Sequence, residues 1–209
     1  MNSSYQEFEH NLKNRGFTYG GGRIDPTGKF FYVNIPKNAS NFLDRLFLHN
    51  GWNIENLANI DSEQTLGIVV LRDPVERWLT GIAQYATSTL EEFVGNDFVK
   101  NYNPVVEKLL FDQVIFDDHT MPQYYFFDKI KDLSNVHYFY HDSTLTTRMA
   151  SQYNLNLDQN FEGNKTADNL VRKTMVEFLK SRLDNKHLLD AVKSKYSKDY
   201  QLIHSVKFQ

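Results

Sequence analysis

Two cations stand where a chain of this pattern can hold an anion. Lys37 lies in Ile35-Pro36-Lys37-Asn38-Ala39-Ser40-Asn41, and Arg72 lies in Leu71-Arg72-Asp73-Pro74-Val75-Glu76-Arg77-Trp78-Leu79-Thr80. Each follows a short apolar run and precedes a helical pattern. The unpaired N–H groups of a helix start carry partial positive charge and suit a phosphate, and Lys37 adds a full charge at the same place. Pro36, Asn38 and Ala39 are candidate binding residues of that turn, and Ser40 and Asn41 offer hydroxyl and amide donors; Asn38, Ser40 or Asn41 can instead cap the helix. Arg72 can contact a phosphate with two parallel N–H groups, and the Thr80 hydroxyl, further along the next helix, can reach the same group. Taken alone, each turn also fits a plain helix start: a cap with a solvated lysine, or a structural ion pair in which Arg77 meets Asp73 or Glu76.

The elements that would position these residues are legible. Lys29 to Ile35 (Lys-Phe-Phe-Tyr-Val-Asn-Ile) is aromatic and β-branched, and turn signals bound it, so it reads as a buried strand. Leu66 to Leu71 (Leu-Gly-Ile-Val-Val-Leu) is a second, and Asn135 to Tyr140 a third. Asn41 to Asn50 and Val75 to Ala86 have helical spacing, and Thr166 to Ser205 reads as two helices parted near Asp184-Asn185. Gly20-Gly21-Gly22 reads as a breaker and Asp25-Pro26-Thr27-Gly28 as a turn. Strands alternating with helices predict a three-layer α/β fold with a mainly parallel sheet, in one domain spanning residues 1–209. Residues 1–15 are polar and read as a loose arm or short helix. Ligands of such sheets sit beyond the carboxyl ends of strands, where both turns fall.

Both motifs resemble the carbohydrate, heparan-type group of sulfotransferases that use 3′-phosphoadenosine 5′-phosphosulfate (PAPS). Ile35-Pro36-Lys37-Asn38-Ala39-Ser40 is similar to that group's 5′-phosphosulfate loop, and Arg72-Asp73-Pro74 with Arg77 and Thr80 to its 3′-phosphate motif, where Thr80 replaces the usual Ser. The segment Tyr196-Ser197-Lys198-Asp199-Tyr200-Gln201-Leu202 resembles the closing helix of the group, with Tyr196, Tyr200 and Leu202 as packing residues. The resemblance touches the beginning, middle and end of the chain and little between. It implies a P-loop-NTPase-like sulfotransferase fold, PAPS as co-substrate with PAP (3′-phosphoadenosine 5′-phosphate) as product, and no metal. It also implies transfer to a hydroxyl, by default on a glycan, with a lipid, metabolite or tyrosine as alternatives.

Such a transfer needs a base for the acceptor proton. His119, in the polar turn Asp117-Asp118-His119-Thr120-Met121-Pro122-Gln123, is the leading candidate, and its stretch resembles the group's His-x-x-Pro-Gln element. Asp117 or Asp118 can orient the imidazole and raise its basicity. His49, between the two phosphate motifs, is the second candidate, although its place before Asn50-Gly51 also suits a helix end. His137 and His141 read as strand packing. Asn164-Lys165-Thr166 is a further helix start with a cation: Lys165 can close over the donor, and a plain cap fits as well. The aromatic residues Tyr124 to Phe127 read as core before they read as a sugar-stacking wall.

Bulk properties narrow the classes. The chain has 209 residues, is 41% hydrophobic and contains 16 Phe and 12 Tyr, enough to fill a core. A net charge of -3 gives no global pull toward nucleic acid, so an anion site must be local. No cysteine is present, which excludes disulfides, thiolate catalysis and cysteine-held metals. No signal-peptide pattern and no membrane-spanning run of roughly 18–20 apolar residues is evident. Together with the absence of the anchor and cysteines of secretory relatives, this predicts a cytoplasmic enzyme of bacterial or viral origin. The Walker pattern Gly-x-x-x-x-Gly-Lys-Ser/Thr is missing. A small-molecule kinase of similar architecture and a non-catalytic module for a phosphorylated ligand are the competing readings.

Overall fold

A computed structural model describes residues 21–61, 63–89, 97–126, 135–157 and 170–209. Five strands form one sheet: β1 (Gly21–Ile24), β2 (Phe30–Val33), β3 (Asn53–Asn56), β4 (Leu66–Leu71) and β5 (Val136–Tyr140), in the order β3-β1-β2-β4-β5. The helices are α1 (Ser40–His49), α2 (Pro74–Thr89), α3 (Asp97–Asn101), α4 (Pro104–Gln113), α5 (Leu145–Tyr153), α6 (Leu170–Arg182), α7 (Lys186–Lys195) and α8 (Ser197–Ser205).

The sheet is mixed, where the sequence predicts a mainly parallel one. β2, β4 and β5 run parallel, whereas β1 is antiparallel to both β2 and β3. The reason is the short link between β1 and β2, which leaves no room for a crossover. Asp25 closes that link: its carboxylate accepts from Thr27 N at 3.0 Å and Phe30 N at 2.7 Å, while Gly28 takes the left-handed φ of 73°. The Gly20-Gly21-Gly22 stretch therefore does not break the chain, since Gly21 and Gly22 are strand residues. A Cβ on Gly22 would lie 1.9 Å from the Tyr32 carbonyl oxygen, so the close approach of β1 to β2 requires glycine. β3 goes unpredicted because Asn-Ile-Glu-Asn is polar and carries no alternating pattern.

Both faces of the parallel half are buried, which explains its continuous apolar runs. On one face Tyr32, Ile68, Val70 and Phe139 pack against Leu43, Leu46 and Phe47 of α1 and Leu145 and Met149 of α5. On the other, Phe31, Val33, Val69 and Leu71 meet Met121, Phe126 and the α8 residues Leu202 and Ile203. A third cluster joins α2, through Trp78, Leu79 and Ile82, to α3, α4, α6 and α7. The C-terminal region has three helices where the sequence predicts two. The first break is where expected, with Asn185 capping α7 by accepting from His187 N at 3.0 Å. A second falls at Tyr196, which is wholly buried and donates its hydroxyl to Thr120 O. Among the described residues no helix is long and apolar enough to cross a membrane.

Candidate functional site

The turn after β2 is held in an unusual backbone form. Lys37 and Ala39 have φ of 70° and 60°, the left-handed region, which costs a side-chain-bearing residue about 1 kcal/mol or more each. Glycine is the residue usually found in that region, and here Lys37 and Ala39 both carry the strain. α1 starts at Ser40 with Ala39 as N-cap, and no side chain caps it. The expected capping by Ser40 or Asn41 is therefore not made, and the start of α1 remains suited to an anion. Ser40 is half-buried in its first turn and Asn41 is exposed.

Asn38 does not match its expected place as a ligand donor. It is wholly buried, and its amide donates to Val70 O at 2.7 Å and Gln123 Oε1 at 2.6 Å, while its backbone N–H donates to Ile35 O. Its work is to tie the turn to the sheet. Pro36 is likewise turned to the scaffold, since its carbonyl accepts from Arg77 Nε at 3.0 Å.

The two phosphate motifs meet. Arg72 Nη1 donates to Lys37 O at 3.2 Å and to Thr80 Oγ1 at 3.3 Å. Parallel pairing of β2 with β4 brings the two turns side by side at the same sheet edge. Thr80 adopts a specific role here. Its hydroxyl points back to Arg77 O at 2.9 Å, so its one proton is spent on the helix and its lone pair orients Arg72. Lys37 Nζ donates to Gln84 Oε1 at 3.3 Å, one helical turn beyond Thr80. Among the described residues neither Lys37 nor Arg72 has a carboxylate at ion-pair distance, and their partners are the neutral groups just named. Burial pushes Lys37 down to about 8, and neighbouring Arg172, Arg77 and Arg72 add to this against the opposing pull of Asp117. Burial also lowers Arg72, with Glu76 and Asp73 opposing. Desolvated cations without counter-charges are costly unless an anion completes them.

Beneath them runs a brace that sequence reading largely missed. Arg77 is wholly buried and does not pair with Asp73 or Glu76. It donates instead to the carbonyls of Pro36, Met121 and, at 3.2 Å, Asp118. Gln123 accepts from Arg72 N at 2.9 Å and returns a bond to Arg72 O at 2.8 Å. Asp199 of α8 accepts from Gln123 N at 2.8 Å and Tyr124 N at 3.0 Å, and burial raises its carboxyl above the usual range. The buried Gln123 and Asp199 thus lock the His119 turn to β4 and to the C-terminal helix. The sequence signals were Pro122-Gln123 and the acid inside the Tyr-x-x-Asp-Tyr segment.

The His119 turn lies directly on α2. A Cβ at Gly81 would fall 2.3 Å from His119 O, so this helix position must be glycine for the turn to approach. His119 Nδ1 meets Asp117 Oδ2 at 2.9 Å and Asp118 Oδ1 at 3.0 Å. Burial alone would lower its pKa, but the bonds and charges of the two aspartates reverse this and hold the imidazole at about 9. It is therefore mainly an imidazolium at neutral pH, and must shed that proton before it can act as a base. These three residues also form a group whose ligand atoms lie within 4.8 Å of one another, which the spacing did not suggest. A proton on Nδ1 is shared between the two carboxylates.

His49 is exposed in the last turn of α1, at the opposite end of that helix from Lys37 and about 13 Å along its axis. His141 follows β5 with its N–H on Leu71 O at 2.7 Å. Burial and then the charge of Arg72 lower its pKa, so it is a neutral imidazole beside the Arg72 turn. His137 packs as expected, with Tyr153 Oη 2.9 Å from its Nδ1. Phe126 is core, and Tyr124 carries the Lys198 ammonium 4.8 Å from its ring centre. Lys165, with Asn164 and Thr166, and the arm at 1–15 lie outside the described residues. No protein-family model matches the chain, and no curated protein and no solved structure matches it either.

Proposed function

We propose that this protein is a PAPS-dependent sulfotransferase of P-loop-NTPase-like architecture, with a hydroxyl of a glycan or another small molecule as acceptor. One observation carries the reading: Lys37 and Arg72, drawn from the two motifs, form one desolvated cationic site in which, among the described residues, no carboxylate stands at ion-pair distance from either. The uncapped start of α1 beside them suits a phosphate in the same way.

In this reaction the acceptor oxygen attacks sulfur. The bond from sulfur to the bridging oxygen of the 5′-phosphate breaks, and its electron pair leaves with PAP. Lys37 meets the charge that grows on that oxygen. Arg72, aimed by Thr80, holds the 3′-phosphate. The acceptor proton passes to His119, once its own proton has been lost to solvent. A bound polyanion restores full charge to Lys37, so donor binding and activation of the lysine are linked.

The test is a thermal-shift comparison of PAP with ATP plus Mg²⁺. PAP at a concentration of about 100 times its Kd adds roughly 2.7 kcal/mol of stability and raises the melting temperature. Stabilisation by ATP and Mg²⁺ alone would favour a kinase. PAP binding with no labelled sulfate reaching any acceptor would favour a non-catalytic module.

A further inference from the structure

Three side chains of α2 each hold one cation. Thr80 accepts from Arg72 at 3.3 Å, Gln84 from Lys37 at 3.3 Å, and Thr87 Oγ1 from Arg172 Nε at 3.2 Å. Positions 80, 84 and 87 are spaced i, i+4, i+7, so they form one stripe along the helix, and the row extends about 10 Å. The two threonines work alike. Thr87 directs its hydroxyl proton to Ala83 O at 2.8 Å, as Thr80 does to Arg77 O, and each presents a lone pair to its arginine. Arg172 comes from the first turn of α6, which packs against α2 in the helical cluster. Of the charges that act on the Lys37 ammonium, that of Arg172 weighs most. No motif in the sequence marks it.

We propose that Arg172 is the third cation of this site and binds the sulfuryl end of the donor, with Thr87 as its positioning residue. This rests on the donor reading above. A donor with its 3′-phosphate at Arg72 and its 5′-phosphate at Lys37 runs along the stripe in the direction of Thr87. The next group in that direction is the sulfuryl group, which PAPS carries and PAP lacks. Arg172 therefore separates the loaded donor from the spent product, and favours release of PAP after transfer. Its guanidinium can face two sulfuryl oxygens at once.

Calorimetric titration of PAPS and of PAP, without acceptor, tests this in wild type, Arg172→Gln and Thr87→Val. Wild type should bind PAPS more tightly than PAP. Arg172→Gln should weaken PAPS roughly tenfold or more while PAP changes less than about twofold, the loss expected for a charged hydrogen bond. Thr87→Val keeps the side-chain shape and should shift PAPS in the same direction by a smaller factor. Arg172→Lys, which keeps charge without the fork, should recover part of the loss. Equal weakening of both nucleotides, or of neither, would overturn the assignment of Arg172 while leaving the donor reading intact. Failure of wild type to bind either nucleotide would overturn the donor reading, and this inference with it.

Discussion

The brace under the site and the cation row above it use the same residue types to opposite ends. Arg77 and Arg72 lie five positions apart in one motif. Arg77 is wholly buried and spends its donors on three backbone carbonyls from two loops. Arg72 keeps to one carbonyl and one hydroxyl, with guanidinium capacity left over. The amides divide likewise: Gln123 is bonded on every side within the fold, whereas Gln84 makes a single long contact with Lys37. Groups that are fully partnered fix geometry. Groups that are buried and under-partnered store the capacity to bind.

That contrast is most sharply broken at Arg77. Arg77→Leu leaves two buried carbonyls and one half-buried one without their donor, and should cost about 3–5 kcal/mol, lowering the melting temperature by roughly 10 °C. Calorimetric or fluorescence melting will read it. A melting temperature within a degree or two of wild type would mean that the brace is not what holds the two loops. Lys37→Ala should behave in the opposite way. Transfer should fall by about 10²–10³-fold, the usual scale for a residue that stabilises a developing oxyanion, while stability stays level or rises because a desolvated charge is gone. An unfolded Lys37→Ala protein would place Lys37 in the brace.

Gly81→Ala tests the seam between the two regions. The added methyl must push the His119 backbone away, at about 1–3 kcal/mol, and turnover should drop while PAP affinity is kept. Equal losses in turnover and PAP affinity would show that the His119 turn and the donor row are not separable.

The pH profile gives the smallest expected effect. The active form of the free enzyme needs Lys37 charged, which is lost above about pH 8, and His119 neutral, which is gained above about pH 9. Because the two values are in reverse order, kcat/KM should peak between them, rising about twenty-fold from pH 6.5 to about 8.5 and falling beyond. His119→Gln should lower the peak and remove the acidic limb. A profile already flat from pH 6.5 would exclude His119 as the base.

The sequence made the parallel half of the fold legible and left the antiparallel half obscure, for physical reasons. β2, β4 and β5 are buried on both faces and so read as largely apolar runs, with Pro36 and Pro74 marking the exits of β2 and β4. β1 begins in glycines that a close strand contact demands, which look like a breaker, and β3 is polar. The convergence of Lys37, Arg72 and Thr80 was readable because turns after adjacent strands share one edge. Arg172 was not, since it reaches the site from a distant helix by a contact that leaves no local pattern, and the roles of Gln84 and Gln123 follow from contacts across the fold that their own segments do not encode. Local charge also misled: Arg77 stands near Asp73 and Glu76 in sequence, yet burial turns it toward carbonyls. The imidazolium character of His119 likewise follows from two aspartates acting together, where one was expected.

If Lys37 and Arg72 complete one donor site, a calorimetric titration of PAP into wild type, Lys37→Ala, Arg72→Ala and the double variant will register it. Wild type should bind one PAP per chain, each single variant should bind it at least tenfold more weakly, and the loss in the double variant should differ from the sum of the two, as expected for residues in contact. Undiminished PAP binding in Arg72→Ala, or no PAP binding by the folded wild-type protein, would contradict it.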